Sequence, residues 1–193
     1  MPRILLTAFE PFGGEQINPS LEIAKQLASR PDVDTITVPV TFADSANTVL
    51  PQLPGHDAVV MLGQAKGRKG ITVERVAINI DDAAAPDNAG AVLTDHAIAA
   101  DGPAAYFSTL PIKSMVEAIR AEGLTASVSN SAGTYVCNHL MYSVLHALRN
   151  TNIPAGFIHV PALPEQAIGQ PHIPTMTLEE MVRSIGAALN ILQ

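Results

Sequence analysis

Cysteine is nearly absent from the sequence: Cys137 is the only one in 193 residues, and tryptophan is missing altogether. A lone thiol forms no internal disulfide, which excludes a disulfide scaffold and suits a reducing compartment, the cytoplasm. Basic residues are also few. The 11 Lys and Arg against 18 Asp and Glu give a formal net charge of −7, with no cationic footprint for a phosphate backbone or an anionic lipid surface. Nucleic acid and membrane are therefore not expected partners. No apolar run nears the roughly 20 residues of a spanning helix, and the longest, such as "AVVML" (58–62), have the length of a core strand. Glu10 interrupts the N-terminal apolar stretch before a signal-peptide core could form. HExxH and paired-cysteine spacings are missing, so no metal site is expected. Repeats, linkers and low-complexity tracts are missing too, and a hydrophobic content of 47% against 15% charged residues points to one cored domain over 1–193.

What is present alternates between two periods. "RILLTA" (3–8), "TITVPV" (35–40), "DAVVMLG" (57–63), "TASVSN" (125–130) and "AGFIHVP" (155–161) read as strands, and "ITVERVAIN" (71–79) as one strand with period two. Helices are predicted after Asn18, an N-cap followed by Pro19, and around 43–53. Another covers 111–123, with Ile112, Met115, Val116 and Ile119 on one face and Gly123 as its stop, and a further one starts at Cys137. The last begins at the Thr177–Glu180 capping box. The alternation predicts a three-layer α/β/α sandwich around a twisted, mostly parallel sheet. The long connections near 80–110 and 161–176, rich in Pro, Gly and Asp, are expected to be functional or to contact another subunit.

Cys137 stands at a predicted helix start, where unpaired N–H groups and the positive dipole end favour a thiolate and lower the thiol pKa. The same donors suit an oxyanion on an attacked carbonyl. Of the possible bases, His139 lies two residues along and points elsewhere, whereas His146 lies about 13 Å down the axis. His159 ends a strand. It reaches Cys137 if strands 125–130 and 155–161 are parallel, both side chains then lying at the carboxyl edge where open α/β sheets place ligands. His56, His96 and His172 read as exposed loop residues. Alternation puts Glu74 beside Val76 and Ile78 on one face, so its carboxylate needs a partner, either His159 or an arginine such as Arg75. Phe9 and Phe12, in the loop after the first strand, and Gln64, after the strand at 57–63, reach the same edge.

Taken together, "LGQAKGRKGITVERVAIN" (62–79), "GTYVCNHLMYSVLH" (133–146), "GFIHVP" (156–161), "TAFEPFGG" (7–14), "PDNAG" (86–90) and "DGPAAYFSTLPIK" (101–113) resemble the pyroglutamyl peptidases, over almost the whole chain and in order. The resemblance implies a phosphorylase/hydrolase-like fold and a cytosolic cysteine exopeptidase that removes N-terminal pyroglutamate from peptides. Cys137 would be the nucleophile, His159 the base and Glu74 its orienting partner, with no metal or organic cofactor. Phe9, Phe12, Asn18, Gln64, Tyr135 and Val136 would bind the substrate, and a homodimer or homotetramer would be the working assembly. This chain departs from the family pattern at Lys66, usually a small residue, and at Ala84 and Ala85, usually an arginine and a larger apolar residue; Tyr135 replaces a more usual Phe. Two other readings remain: a phosphate- or nucleoside-binding phosphorylase-like protein using "GQAKGRKG", a loop without P-loop spacing, and a homologue that binds pyroglutamyl ends without cleaving them.

Overall fold

In the computed structural model, which describes residues 1–193, strand parity sorts the core into two halves. In β1 (Ile4–Phe9), Ile4, Leu6 and Ala8 face one side while Leu5 and Phe9 face the other. The same split separates Val60 and Leu62 from Val59 and Met61 in β3 (Ala58–Gln64), and Ile158 and Val160 from Phe157 in β8 (Ala155–Val160). Burial on both faces is what covered parallel strands require. One side is closed by α1 (Pro19–Leu27), α3 (Ile112–Ala121) and α5 (Leu178–Asn190), the other by α2 (Ser45–Val49) and α4 (Val136–Leu148). The result is the expected three-layer sandwich.

The main sheet has six strands in the order β2-β1-β3-β8-β4-β7, with β2 at Val33–Val38, β4 at Ile71–Glu74 and β7 at Ala126–Ser129. Pairings are parallel except between β4 and β8, where Thr72 lies opposite His159. Because β7 runs parallel to β4, it runs antiparallel to β8. This overturns the expectation that Cys137 and His159 follow parallel strands; α4 instead brings its N-terminus over the sheet from β7's side.

The expected single strand 71–79 is also broken. The Arg75 N–H donates to the Ser129 carbonyl of β7 (2.8 Å), while its own carbonyl accepts from Ser108 N–H (2.8 Å). The chain thereby leaves the main sheet at Arg75 and continues as β5 (Val76–Ile78), paired with β6 (Ala105–Phe107) in a separate ribbon. His56 is not the exposed residue expected: Nδ1 lies 2.8 Å from the Gln52 carbonyl and Nε2 lies 3.0 Å from Asp34 Oδ2.

Asp32 ties the turn before β2 to the C-terminus. Its carboxylate accepts Arg30 Nε at 3.0 Å, Arg30 Nη2 at 2.7 Å and Gln193 Nε2 at 2.8 Å. The Arg30 hydrogen bonds, opposed by burial and assisted by Gln193, lower the Asp32 carboxyl to about 2. The stabilisation is therefore present above the unfolded carboxylate value and is lost as pH falls through about 2. Asp32→Asn is expected to lower unfolding free energy by about 1–2 kcal/mol at neutral pH, with the deficit shrinking in strong acid. Urea melts across pH test this, and a pH-independent deficit would contradict it.

Candidate active site

The strand alternation that orders the core also selects the site. His159 follows Phe157 by two residues in β8, and Gly63 follows Met61 in β3, so both face the α4 side. By the same parity Thr72 and Glu74 of β4 lie on that side, away from Ile71 and Val73. The first hydrogen bond at the start of α4 runs from His139 N–H to the Tyr135 carbonyl (3.0 Å), so Cys137 sits among N–H groups with no intrahelical partner. Its sulfur rests on Gly63: a Cβ there would fall 2.9 Å from Cys137 Sγ and 2.7 Å from Phe157 Cζ. Glycine permits this approach.

Cys137 and His159 open into one cavity of about 230 Å³. Phe9, Phe12, Asn18, Gln64, Tyr135 and Val136 line it as well, together with Val40 and Ala132, which the sequence did not single out. No Asp, Glu, Lys or Arg side chain contributes to its wall. The cavity is smaller than the roughly 300–1,000 Å³ typical of drug-sized ligands, so it fits a small, neutral, largely apolar group.

Glu74 lies behind the cavity, with 0% exposure. His159 Nδ1–H donates to Glu74 Oε1 at 2.7 Å, which leaves Nε2 free on the cavity side, and the Phe157 ring packs against the imidazole at 4.7 Å between centroids. Arg68 is the second partner of Glu74: its Nη1 forms an ion pair with Oε1 and also donates to Thr72 Oγ1 (2.7 Å) and Ser129 Oγ (3.1 Å). Arg75, the partner considered from sequence, instead bonds Asn130 Oδ1 at 2.8 Å.

Burial would raise the Glu74 carboxyl, but the hydrogen bond and charge of His159, with Ser129 and Arg68, hold it below the usual carboxylate range. Burial lowers the His159 imidazole, and Glu74 only partly offsets this. Burial and the Glu74 charge push the Cys137 thiol up to about 12, against Arg68 and its own N–H. The expected lowering by the helix start is thus outweighed. At neutral pH the resting site holds a thiol, a neutral imidazole and a carboxylate.

The other expected residues are fixed by their neighbours. Asn18 caps α1 through Ser20 N–H (3.0 Å) and donates to the Glu10 carbonyl (3.0 Å), pinning the loop that carries Phe12. Phe9 is a core residue, 2% exposed, that also forms cavity wall. Gln64 donates its side-chain N–H to Gln166 Oε1 (3.0 Å). Lys66 is neutralised by Glu15 at 3.0 Å, and the Tyr135 hydroxyl donates to the Pro86 carbonyl at 3.0 Å. His139 bonds buried Asp81 at 2.8 Å, and His146 bonds the Tyr106 hydroxyl at 2.8 Å. Neither stands among the cavity-lining residues.

The sequence profile of the pyroglutamyl peptidase family matches residues 2–193. The chain belongs to the pyroglutamyl peptidase family. It is 50% identical to pyrrolidone-carboxylate peptidase 1 of Caldanaerobacter subterraneus, over 98% of this chain and 97% of that one. It is 52% identical to the pyrrolidone-carboxylate peptidase of Vibrio vulnificus, over 96% and 90%. The crystal structure of Bacillus amyloliquefaciens pyroglutamyl peptidase I superposes with a TM-score of 0.92 at 41% identity, covering 97% of this chain and 95% of that one. The pyrrolidone carboxyl peptidase of Fervidobacterium islandicum gives 0.93 at 38% identity, covering 100% and 98%.

Gly63, Arg68, Gln166 and Asn138 were not predicted as site residues. Asn138, fully buried, accepts from Ile78 N–H (3.0 Å) and donates to the Ile78 and Ile80 carbonyls (2.9 and 3.1 Å), holding the 78–80 segment against α4. An Asn directly after a helix-start cysteine was the available signal. Gly63→Ala is expected to displace both the Cys137 sulfur and the Phe157 ring and to cost about 1–3 kcal/mol. Chemical denaturation measures this; unchanged stability would mean that the contact is not tight.

Proposed function

We propose that the chain is a cysteine exopeptidase which, in one catalytic domain, hydrolyses the amide bond after an N-terminal pyroglutamyl residue. The observation carrying this reading is a small cavity, free of charged walls, at which the sole thiol and a carboxylate-held imidazole meet. A pyroglutamyl ring is a neutral lactam without a free amine. It needs no carboxylate to receive an ammonium, and this wall offers none.

Cys137 Sγ attacks the pyroglutamyl carbonyl carbon while its proton passes to His159 Nε2. Since the thiol is raised and the imidazole lowered, proton transfer accompanies attack rather than preceding it. The unpaired N–H groups at the start of α4 support the oxyanion. Collapse breaks the C–N bond, and imidazolium returns the proton to the leaving amine. Water activated by His159 then hydrolyses the thioester, releasing pyroglutamate and restoring the thiol. Glu74 fixes the imidazole tautomer through Nδ1–H and stabilises the imidazolium. No step calls for a metal or organic cofactor.

The phosphate-binding alternative is disfavoured because Lys66 and Arg68, two cations of "GQAKGRKG", are occupied by Glu15 and Glu74. A reducing compartment such as the cytoplasm would keep Cys137 free, and no helix is long and apolar enough to cross a membrane. A homodimer or homotetramer is supported by Phe107, 72% exposed on the β5–β6 ribbon, and Val92, 54% exposed in the connection between these strands.

Wild type is expected to cleave a pyroglutamyl fluorogenic amide and to spare a prolyl amide bearing a free amine, with Cys137→Ser losing roughly 10³-fold or more in kcat/KM. Equal turnover of both substrates would overturn the reading. Glu74→Gln is expected to lower kcat roughly 10²- to 10⁴-fold. Because Glu74 raises the imidazole pKa, its loss should also move the acid limb, already below the ordinary His value, to still lower pH. An upward shift would contradict the assigned role.

A further inference from the structure

A second cavity, of about 340 Å³, adjoins the first and shares Phe12 and Tyr135 with it. Thr134, directly before the α4 N-cap, forms part of its wall. The opposite side is the exposed segment containing Asp82, Ala84 and Ala85. If the lactam ring fills the first cavity, its carbonyl lies at Cys137 and the rest of the peptide must leave past the rim that Phe12 and Tyr135 form.

The segment is held rigidly by its backbone. Asp82 N–H donates to the Thr134 carbonyl (2.9 Å), and the Asp82 carbonyl accepts from the Thr134 hydroxyl (2.8 Å). Ala83 N–H donates to Leu93 (2.8 Å), and the Pro86 carbonyl accepts from the Tyr135 hydroxyl (3.0 Å). The Asp82 side chain, by contrast, makes no hydrogen bond and no ion pair, and it is the only charge on the cavity wall. The two alanines keep the cavity open; larger side chains at 84 and 85 would project into it.

We propose that this second cavity is the subsite for the leaving residue, and that it favours a long cationic side chain, with methylenes against Ala84 and Ala85 and the ammonium or guanidinium toward Asp82. This rests on the peptidase reading above. It adds that specificity for the leaving side is set by one exposed carboxylate and a pair of small residues.

The test compares kcat/KM for pyroglutamyl-Ala, -Met, -Lys and -Glu amides, at low salt and in about 1 M salt, where screening reaches within a few ångström. Wild type should prefer Lys over Met by roughly three- to fivefold, as expected for a solvent-exposed pair, and should disfavour Glu. The Lys/Met ratio should collapse toward one in high salt and in Asp82→Asn, a substitution that leaves the backbone contacts in place. Ala84→Leu should depress Met and Lys substrates relative to Ala. A Lys/Met ratio unchanged by Asp82→Asn, or Ala84→Leu slowing all four substrates equally, would overturn the subsite. Failure of wild type to cleave pyroglutamyl-Ala amide would instead overturn the peptidase reading, and the subsite with it.

Discussion

Glu74 is a carboxylate with no exposed surface, and the bond from its Oε1 to His159 Nδ1–H is the contact around which the site is organised. A charge in such a place is tolerable only when paired, and removing one partner of a buried pair typically costs about 3–5 kcal/mol. Here the pairing is shared. Arg68 meets the same oxygen from the loop after β3, Ser129 of β7 bonds Arg68, and His159 approaches from the antiparallel neighbour β8. Glu74 Oε2 has no hydrogen-bond partner, so this buried group is only partly satisfied. Two side chains thus meet on one carboxylate, with Ser129 holding Arg68 from behind, and the imidazole so oriented is left with a single free nitrogen facing the cavity.

From that fixed imidazole the proposed chemistry follows by geometry. Gly63 lowers the sheet surface beneath Cys137, and α4 delivers the thiol together with its unpaired N–H groups. Burial holds the thiol protonated, so the helix start serves the developing oxyanion more than the resting sulfur. A wall without charge suits a lactam, and Phe12 and Tyr135 are the residues that the proposed ring cavity shares with the alanine-lined space beyond.

Much of this was legible from residues alone because it is local. Alternation put Thr72 and Glu74 on one face, His159 stood at a strand end, Asn18-Pro19 announced a cap, and Cys137 stood at a helix start. What escaped depends on partners distant in sequence. The reversal of β4 and β7 relative to β8 is set by sheet order, which no local period encodes. The break at Arg75 comes from backbone bonds to Ser129 and Ser108, and Arg68 reaches Glu74 from the loop after β3. The thiol's direction of shift also reversed, since desolvation depends on tertiary packing whereas a helix dipole can be read from a cap.

The central claim is that a resting thiol is activated by the Glu74-held imidazole at the moment of attack. Cys137 is the only cysteine, so ultraviolet thiolate absorbance titrated against pH, with Cys137→Ser as baseline, reports this one group. The account predicts no thiolate at neutral pH, with ionisation only well above the ordinary thiol value of about 8.5. A thiolate signal already present below neutrality would contradict it.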